Sequence, residues 1–327
     1  MKRIDRRTVL TGAAAAATSA LATSRSIAPA TAAAPLLGKQ APSFYRHKVG
    51  DFEITVVSDG LFQNKLERSP ARNASLEEVQ AALSANFMQP DQSVFHFNIN
   101  LVNTGSKLVL IDTGNFPGRA GTGLTLGNVV ASGVDPKAVD VVIISHFHQD
   151  HIGGLRTASG DLIYPNAEIM VPAVEWAHWM DDAKMNAAPE NARGGFQNVR
   201  KVFGPIADKI TKYEWNKELV PGITAFGTPG HTPGHTSYVV SSGSAKTIIQ
   251  SDATPGMSPL FIARTDWLPN ADTDPALAQQ SRRKLFDMIA TDRILFGAFH
   301  MPFPGLGYLE KVGEGYRFVP APWNPIV

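Results

Sequence analysis

The stretch Ser145-His146-Phe147-His148-Gln149-Asp150-His151-Ile152-Gly153-Gly154 decides how this sequence is interpreted. It follows the apolar run Val139 to Ile144, a pattern typical of a strand buried on both faces. His146 and His148 are two residues apart, so in an extended backbone their side chains share one face. The aspartate and the third histidine follow where the chain must turn, and they can face a second point. Imidazole and carboxylate groups at the end of a rigid element predict a site for a divalent metal ion.

The composition narrows the chemistry of such a site. No cysteine occurs among the 327 residues, so disulfides, thiolate catalysis and thiolate metal sites are excluded. Any metal ion must therefore be held by nitrogen and oxygen ligands. The apolar share of 43% and the charged share of 18% are typical of a packed globular protein rather than a disordered one.

Residues 1–33 are predicted to be an export signal. The segment has the order of a twin-arginine signal: the pair Arg6-Arg7, then the alanine-rich stretch Gly12 to Ala22, then the small residues Ala30-Thr31-Ala32. The alternative is an exposed basic tail before a short helix. That route carries folded proteins, so we expect a periplasmic or secreted protein. The segment holds five basic residues and one acidic residue, so its removal changes the formal charge from +1 to −3 (1 − 5 + 1).

The mature chain is expected neither to bind nucleic acid nor to remain attached to a membrane. It shows no basic patch of the kind that binds nucleic acid. After signal cleavage no stretch approaches the roughly 18 apolar residues of a membrane span, so stable membrane association is not expected.

The remaining residues, 34–327, are predicted to form one α/β domain, because strand and helix patterns alternate without a linker or a repeat. Residues 181–195 are polar and contain Gly194-Gly195, which favours a mobile loop. The charged run Ser281-Arg282-Arg283-Lys284 is expected to be a solvated helix face. Strands are predicted at 52–57 (ending at the turn Asp59-Gly60), 94–102, 108–111, 139–144, 167–171, 223–226, 237–240, 247–250 and 294–299, helices at 172–180 and 275–291, and a last hairpin over 307–319.

The motif His146-x-His148-x-Asp150-His151 resembles the signature of the metallo-β-lactamase superfamily. Later elements of that superfamily also occur in order: Asp112-Thr113-Gly114, Gly230-His231-Thr232, Ser251-Asp252-Ala253 and Phe299-His300-Met301. The resemblance covers roughly residues 45–320. It implies a four-layer αβ/βα sandwich of two mixed β-sheets flanked by helices.

More closely, the chain resembles the methyl parathion hydrolase branch of that superfamily. A shared branch does not fix the substrate. The matching stretches are Gly50–Thr55, Leu101–Leu110, Gly230–Thr236 and Gly315–Pro320.

The resemblance also implies a ligand set for two metal ions. His146, His148 and His231 would hold one ion. Asp150, His151 and His300 would hold the other, and Asp252 would bridge the two. Two divalent cations against two carboxylates leave an excess of +2, which would stabilise a bridging hydroxide at neutral pH. Asp150 and Asp252 are therefore the candidate catalytic residues. Zinc is expected, although manganese, iron or cobalt accept the same ligands.

Other residues are expected to support this centre. His235 and Asp112 would hydrogen-bond near the ligands rather than bind an ion. Trp179, Phe196 and Phe116 are predicted to line an apolar substrate pocket, in a placement that resembles the aromatic pocket of the branch. The resemblance also implies that a homodimer is possible.

The leading functional hypothesis is that a metal-bridging hydroxide attacks a small ester-type substrate: a lactone, an aryl ester or an organophosphate triester. One alternative is a β-lactam hydrolase. A second is a non-haem iron oxidoreductase on the same fold, which two bound irons would favour. A third is a metal-binding protein without catalytic activity, which would show metal content but no turnover.

Overall fold

The structure of this protein is a computed structural model that describes residues 36–118 and 121–327. The predicted export signal at 1–33 lies outside the described residues. The unit Pro42–Val327 contains two seven-stranded sheets. The described residues contain no helix long and apolar enough to cross a membrane.

The first sheet combines an antiparallel half with a parallel half. Its strands lie side by side in chain order, antiparallel from β1 to β4 and parallel from β4 to β7. They are β1 (Phe44–Val49), β2 (Phe52–Lys65), β3 (Gln92–Asn103), β4 (Leu108–Ile111), β5 (Val141–Ile143), β6 (Glu168–Pro172) and β7 (Ile210–Tyr213).

The second sheet is antiparallel except for the pair β11 and β12. Its strands are β8 (Glu218–Val220), β9 (Ile223–Gly227), β10 (Thr236–Ser242), β11 (Ala245–Ile249), β12 (Leu295–Gly297), β13 (Leu306–Val312) and β14 (Gly315–Pro320). Both sheets are therefore mixed, as the family resemblance implies.

Helices cover the outer faces of the two sheets. In the described part of the chain they are α1 (Leu76–Ala85), α2 (Thr125–Ala131), α3 (Gln149–Ile152), α4 (Ala173–Trp179), α5 (Asp182–Ala187), α6 (Glu190–Phe203), α7 (Ser258–Ala263) and α8 (Pro275–Thr291). Short 3-10 turns occupy Pro136–Ala138, Gly153–Leu155 and Gly204–Lys209.

The apolar core has three layers and a separate cluster in which α1 packs against α7. The middle layer joins the facing sides of the two sheets, for example Val109 and Ile143 with Tyr238 and Ile249. The outer layers pack α6 on the first sheet and α8 on the second. This arrangement confirms the four-layer αβ/βα sandwich.

Two local predictions were wrong. Strand β2 does not end at Asp59-Gly60 but continues to Lys65, because a bulge between Ser58 and Gly60 absorbs the turn-like pair. Residues 181–195 are not a loop, since α5 and the first half of α6 occupy them. The two glycines misled the prediction: a Cβ at Gly195 would lie 3.1 Å from the Trp179 ring, so glycine lets α6 pack closely there.

Candidate metal centre

The end of β5 positions the first ligands. The extended chain after Ile143 carries His146 into the protein interior, where its side chain is fully buried. His148 is still extended (φ −68°, ψ 154°), and it immediately precedes α3. The short helix then turns Asp150 and His151 towards a second point, as the sequence predicts.

One cluster of potential ligands gathers three histidines and one aspartate. Nε2 of His146 lies 3.0 Å from Nδ1 of His148, and Nε2 of His231 lies 2.9 Å from the same atom. Oδ2 of Asp252 lies 3.4 Å from Nε2 of His231. Two nitrogen ligands of a tetrahedral zinc ion would be about 3.3 Å apart for bonds of about 2.05 Å. We call His146, His148, His231 and Asp252 the three-histidine group.

A second cluster shares Asp252 with the first. Nε2 of His151 lies 3.3 Å from Oδ1 of Asp252, and Nε2 of His300 lies 3.1 Å from its Oδ2. Oδ2 of Asp150 is 3.5 Å from Nε2 of His300. We call Asp150, His151, His300 and Asp252 the two-aspartate group. The seven residues singled out in the sequence thus come together in two groups with one carboxylate in common.

The donor atoms fit a pair of cations. Nε2 of His151 and Oδ1 of Asp252 are buried, and although they lie 3.3 Å apart, neither makes a hydrogen bond of good geometry. Buried polar atoms without partners are costly, and coordination of a divalent ion would satisfy both. Nitrogen and oxygen donors in this number suit zinc or a similar divalent ion.

Hydrogen bonds behind the histidines fix their rings. Nδ1 of His151 donates to Asp112 (2.8 Å), and Nδ1 of His300 donates to the carbonyl oxygen of His96 (2.8 Å). Asp112 also accepts from the backbone and hydroxyl of Ser145, both at 2.8 Å. Such contacts hold the tautomer that leaves Nε2 free to bind a metal ion. Asp112 thus lies where it supports His151.

The protonation states of the centre are set by burial and by its own charges. Burial, together with the neighbouring imidazoles, lowers the pKa of His148 to about 3 and that of His146 well below its ordinary value. Burial alone would lower the pKa of His231, but Asp252 and Asp272 raise it to about 9. Neutral His146 and His148 already present lone pairs, whereas ion binding must displace a proton from His231.

His235 lies beside both groups but belongs to neither. Its Nε2 accepts a hydrogen bond from the backbone N–H of Asp252 (2.9 Å), and its Nδ1 lies 3.1 Å from the carbonyl oxygen of Thr228. Burial lowers the pKa of His235 to about 3, so the ring is neutral and Nδ1 donates. His235 therefore holds the backbone of the shared aspartate.

Three buried charged residues near the centre were not identified from the sequence. Glu175 accepts from the backbone N–H groups of Phe147 (3.0 Å) and Gly234 (2.7 Å) and thereby joins the loops that carry His148 and His231. The other two, Asp272 and Arg282, form an ion pair at 3.0 Å. The expectation that the run around Arg282 is a solvated face was wrong for that residue, whose side chain is 1% exposed.

A cavity of about 830 Å³ opens beside the two-aspartate group. Of the seven ligands, Asp150 lines it, and its side chain is 21% exposed. The apolar part of its wall consists of Phe62, Leu66, Phe95, Phe97, Met257 and Phe261, and its polar rim includes Asn64, Lys65, Glu67, Arg68 and Asn270.

The aromatic residues expected to line a pocket lie elsewhere. Trp179 and Phe196 are buried against each other, with ring centroids 4.7 Å apart, and Phe116 packs on the same core cluster. The indole N–H of Trp179 donates to Glu175 (2.7 Å), which fixes the ring in the core. Its centroid is 6.4 Å from that of His148, so Trp179 contacts a ligand from behind. The wall of the cavity at Asp150 is formed by other residues.

Comparisons with known proteins agree with this geometry. A solved structure described as AidC, a dizinc quorum-quenching lactonase in complex with a product, superposes with a TM-score of 0.80 and 28% identity, covering 86% of this chain and 98% of that one. An N-acyl homoserine lactonase from Bacillus thuringiensis is 27% identical over 169 residues, 50% of this chain and 58% of that protein. A ribonuclease from Thermus thermophilus is 28% identical over 157 residues, 46% of this chain and 33% of that protein.

The chain thus spans between a third and about three fifths of the length of these two relatives. The family model of the metallo-beta-lactamase superfamily matches residues 95–297, which include six of the seven ligands. His300 lies three residues beyond the end of the matched region. On this match, and with the sandwich fold and the ligand groups in place, the chain belongs to the metallo-beta-lactamase superfamily.

Proposed function

We propose that this protein is a binuclear metal-dependent hydrolase of small, largely apolar esters, and that lactones are its preferred class. The observation that carries the proposal is the position of Asp150. It belongs to the two-aspartate group and also lines the 830 Å³ cavity, so a molecule in the cavity reaches the metal centre there.

Two divalent ions bound at the centre would activate water at neutral pH and polarise a carbonyl or phosphoryl oxygen. The protein's own residues supply the positioning. Asp252 lies between the groups and sets their spacing. The partly exposed carboxylate of Asp150 faces the cavity, where it can hold the attacking water and accept its proton. Activation of the water and its attack on the ester therefore require no serine or cysteine nucleophile.

The cavity wall favours an apolar substrate of modest size. Its volume lies within the range of about 300–1,000 Å³ that is typical of small-molecule sites. Phe62, Phe95 and Met257 offer apolar surface close to the ligands. A lactone with an acyl chain matches this combination, and the similarity to lactonases supports that class. Aryl esters and phosphotriesters present the same kind of electrophile with apolar groups and are the next candidates.

We propose zinc as the resident metal. The donors are five imidazole nitrogens and two carboxylates, which zinc accepts readily, and the similar AidC structure is described as a dizinc protein. Iron would instead support the oxidoreductase alternative.

The test is a turnover panel on protein loaded with zinc or with manganese. The substrates are an acyl-homoserine lactone, dihydrocoumarin, p-nitrophenyl acetate, methyl parathion and a cephalosporin. We expect turnover that a chelator abolishes and zinc restores, with the lactones ranked first. Cephalosporin turnover above the others would favour the β-lactam alternative. No turnover by either loaded form, together with two irons in the protein as isolated from cells, would overturn the proposal in favour of the oxidoreductase.

We further propose that the protein is exported through its twin-arginine segment and cleaved near residue 33. Cell fractionation followed by N-terminal sequencing of the mature protein tests this. Full-length protein found solely in the cytoplasm would contradict it.

A further inference from the structure

A buried ion pair lies behind the three-histidine group. Oδ1 of Asp272 accepts a hydrogen bond from Nδ1 of His231 (3.1 Å), and its Oδ2 accepts from Nη2 of Arg282 (3.0 Å). Both side chains of the pair are at most 1% exposed. The carboxylate is therefore shared between a predicted metal ligand on one side and a guanidinium group on the other.

Arg282 makes a second contact next to the shared ligand. Its Nε donates to the carbonyl oxygen of Ala253, the residue that follows Asp252. His235 binds the N–H of Asp252 from the other side. One guanidinium group thus joins the turn that carries Asp252 to the carboxylate that orients His231.

The backbone around the pair also holds the loop of His231. The N–H groups of Thr273 and Asp274 donate to the carbonyl oxygens of His231 (3.1 Å) and Gly230 (2.9 Å). A Cβ at Gly230 would lie 2.1 Å from the backbone nitrogen of Ala278, in the first turn of α8. The loop therefore lies directly against the segment that carries the ion pair, and a shift of that segment must move His231.

The same segment forms part of the cavity rim. Pro269, Asn270 and Ala271 line the cavity, immediately before Asp272. Arg72 donates to the carbonyl oxygen of Asp272 (2.8 Å), and the N–H of Asn270 donates to the carbonyl oxygen of Pro70 (2.8 Å). The rim of the substrate cavity and the support of His231 are thus consecutive residues of one hydrogen-bonded segment.

We propose that Asp272 and Arg282 are positioning residues that set the metal affinity of the three-histidine group, by fixing His231 and Asp252 together. A buried ion pair adds little net stability compared with apolar residues of similar volume, so stability alone does not account for it. The hydrogen bonds that the pair makes to His231 and to the residue next to Asp252 do account for it. This inference rests on the proposed metal centre, but it concerns binding of the ion and not turnover.

The test compares Arg282→Lys with Arg283→Lys. Lysine keeps the charge beside Asp272, but its single amino group cannot reproduce the two contacts of the guanidinium group. Arg283 is the next residue of α8, and its side chain is 38% exposed, so its replacement is a matched control. We expect Arg282→Lys to raise one of the two zinc dissociation constants by about ten- to a hundredfold in competition with a chromogenic chelator, and to raise the other, whose site shares Asp252, by a smaller factor. Arg283→Lys should leave both constants unchanged.

Two further variants distinguish a positioning role from a general loss of folded structure. Asp112→Asn removes the carboxylate behind His151, so it should weaken the other zinc site and not the one affected by Arg282→Lys. If Arg282→Lys does not fold, the double variant Asp272→Asn with Arg282→Met, which leaves no buried charge unpaired, decides instead. Circular dichroism monitors the fold in each case.

The outcomes distinguish this inference from the proposed function. Wild-type protein that binds fewer than two zinc ions would contradict the proposed metal centre itself. Wild-type protein with two zinc ions, together with a folded Arg282→Lys variant whose two dissociation constants are unchanged, would overturn the positioning role alone.

Discussion

Replacement of Gly154 by alanine tests how the metal motif is packed. A Cβ at this position would lie 2.0 Å from the carbonyl oxygen of Thr113, whereas real Cβ contacts are essentially never closer than 3.0 Å. The two segments must therefore separate by at least about 1 Å. They are joined by hydrogen bonds from Gly154 N–H to the carbonyl oxygen of Gly114 (2.9 Å) and from Thr113 N–H to that of His151 (2.8 Å).

The expected loss of stability follows from these contacts. Insertion of a methyl group into a packed interior costs about 1–3 kcal/mol. Weakening of two hydrogen bonds adds about 1 kcal/mol each. The free energy of unfolding should therefore fall by about 3–5 kcal/mol. Separation also moves Asp112, the neighbour of Thr113, away from His151, so metal content should fall as well.

Urea denaturation of zinc-loaded protein measures the effect. With a slope of about 3 kcal/mol/M, the midpoint should fall by more than about 1 M. Gly127→Ala in α2 is the matched control, because nothing lies within 4 Å of its added Cβ. Alanine there should stabilise by up to about 1 kcal/mol through helix propensity. If Gly154→Ala has the midpoint and metal content of the wild type, this account of the motif is refuted.

Three further predictions concern acid stability and the substrate cavity. Burial lowers the pKa of His47 to about 4 from an ordinary 6.5, so the neutral ring is favoured in the folded protein, and stability is lost as pH falls from about 6.5 towards 4. By pH 5 the loss in the free energy of unfolding should be about 2 kcal/mol. His47→Gln should remove that part of the dependence of the urea midpoint on pH. The same dependence in wild type and variant would contradict this prediction. Phe95→Ala should lower kcat/KM for a long-chain acyl-homoserine lactone by about five- to thirtyfold, since part of an aromatic side chain's burial is lost, with less effect on p-nitrophenyl acetate. Trp179→Phe should leave kcat/KM for the lactone unchanged but lower the free energy of unfolding, because the indole N–H of Trp179 donates to buried Glu175. A lower kcat/KM with unchanged stability would instead favour Trp179 as a pocket residue.

The sequence predicts the parts of this protein that depend on local pattern. Leu108–Ile111 and Pro275–Thr291 have the predicted bounds, since a short apolar run after a turn signal marks the first and a helical apolar pattern marks the second. The ligands were identifiable because four of them occur within six residues, His146 to His151. Their convergence with His231, Asp252 and His300 rested on resemblance, because residues more than 80 positions apart give no local indication of contact.

The missed residues are single charges that act through tertiary contacts. Asp272 and Glu175 belong to no motif, and the residues of the metal-binding loops that they contact lie 28 to 59 positions away in the chain. Arg282 did carry an indication that was overlooked. It lies on the buried stripe of Ala278, Leu285 and Ile289, where an arginine must find a buried partner. The wall of the cavity at Asp150 was not predicted, because it depends on how the long strand β2 and the segment after Asp252 come together.

The most direct test of the metal centre is the number of metal ions bound per chain in the wild type and in Asp252→Ala. Asp252 contributes to both ligand groups, so its loss affects both ions. Elemental analysis should find two zinc ions per wild-type chain. The folded variant should hold one at most and show no turnover of any ester in the panel. A variant that keeps two ions and full activity would contradict the bridging role and, with it, the binuclear centre proposed for this protein.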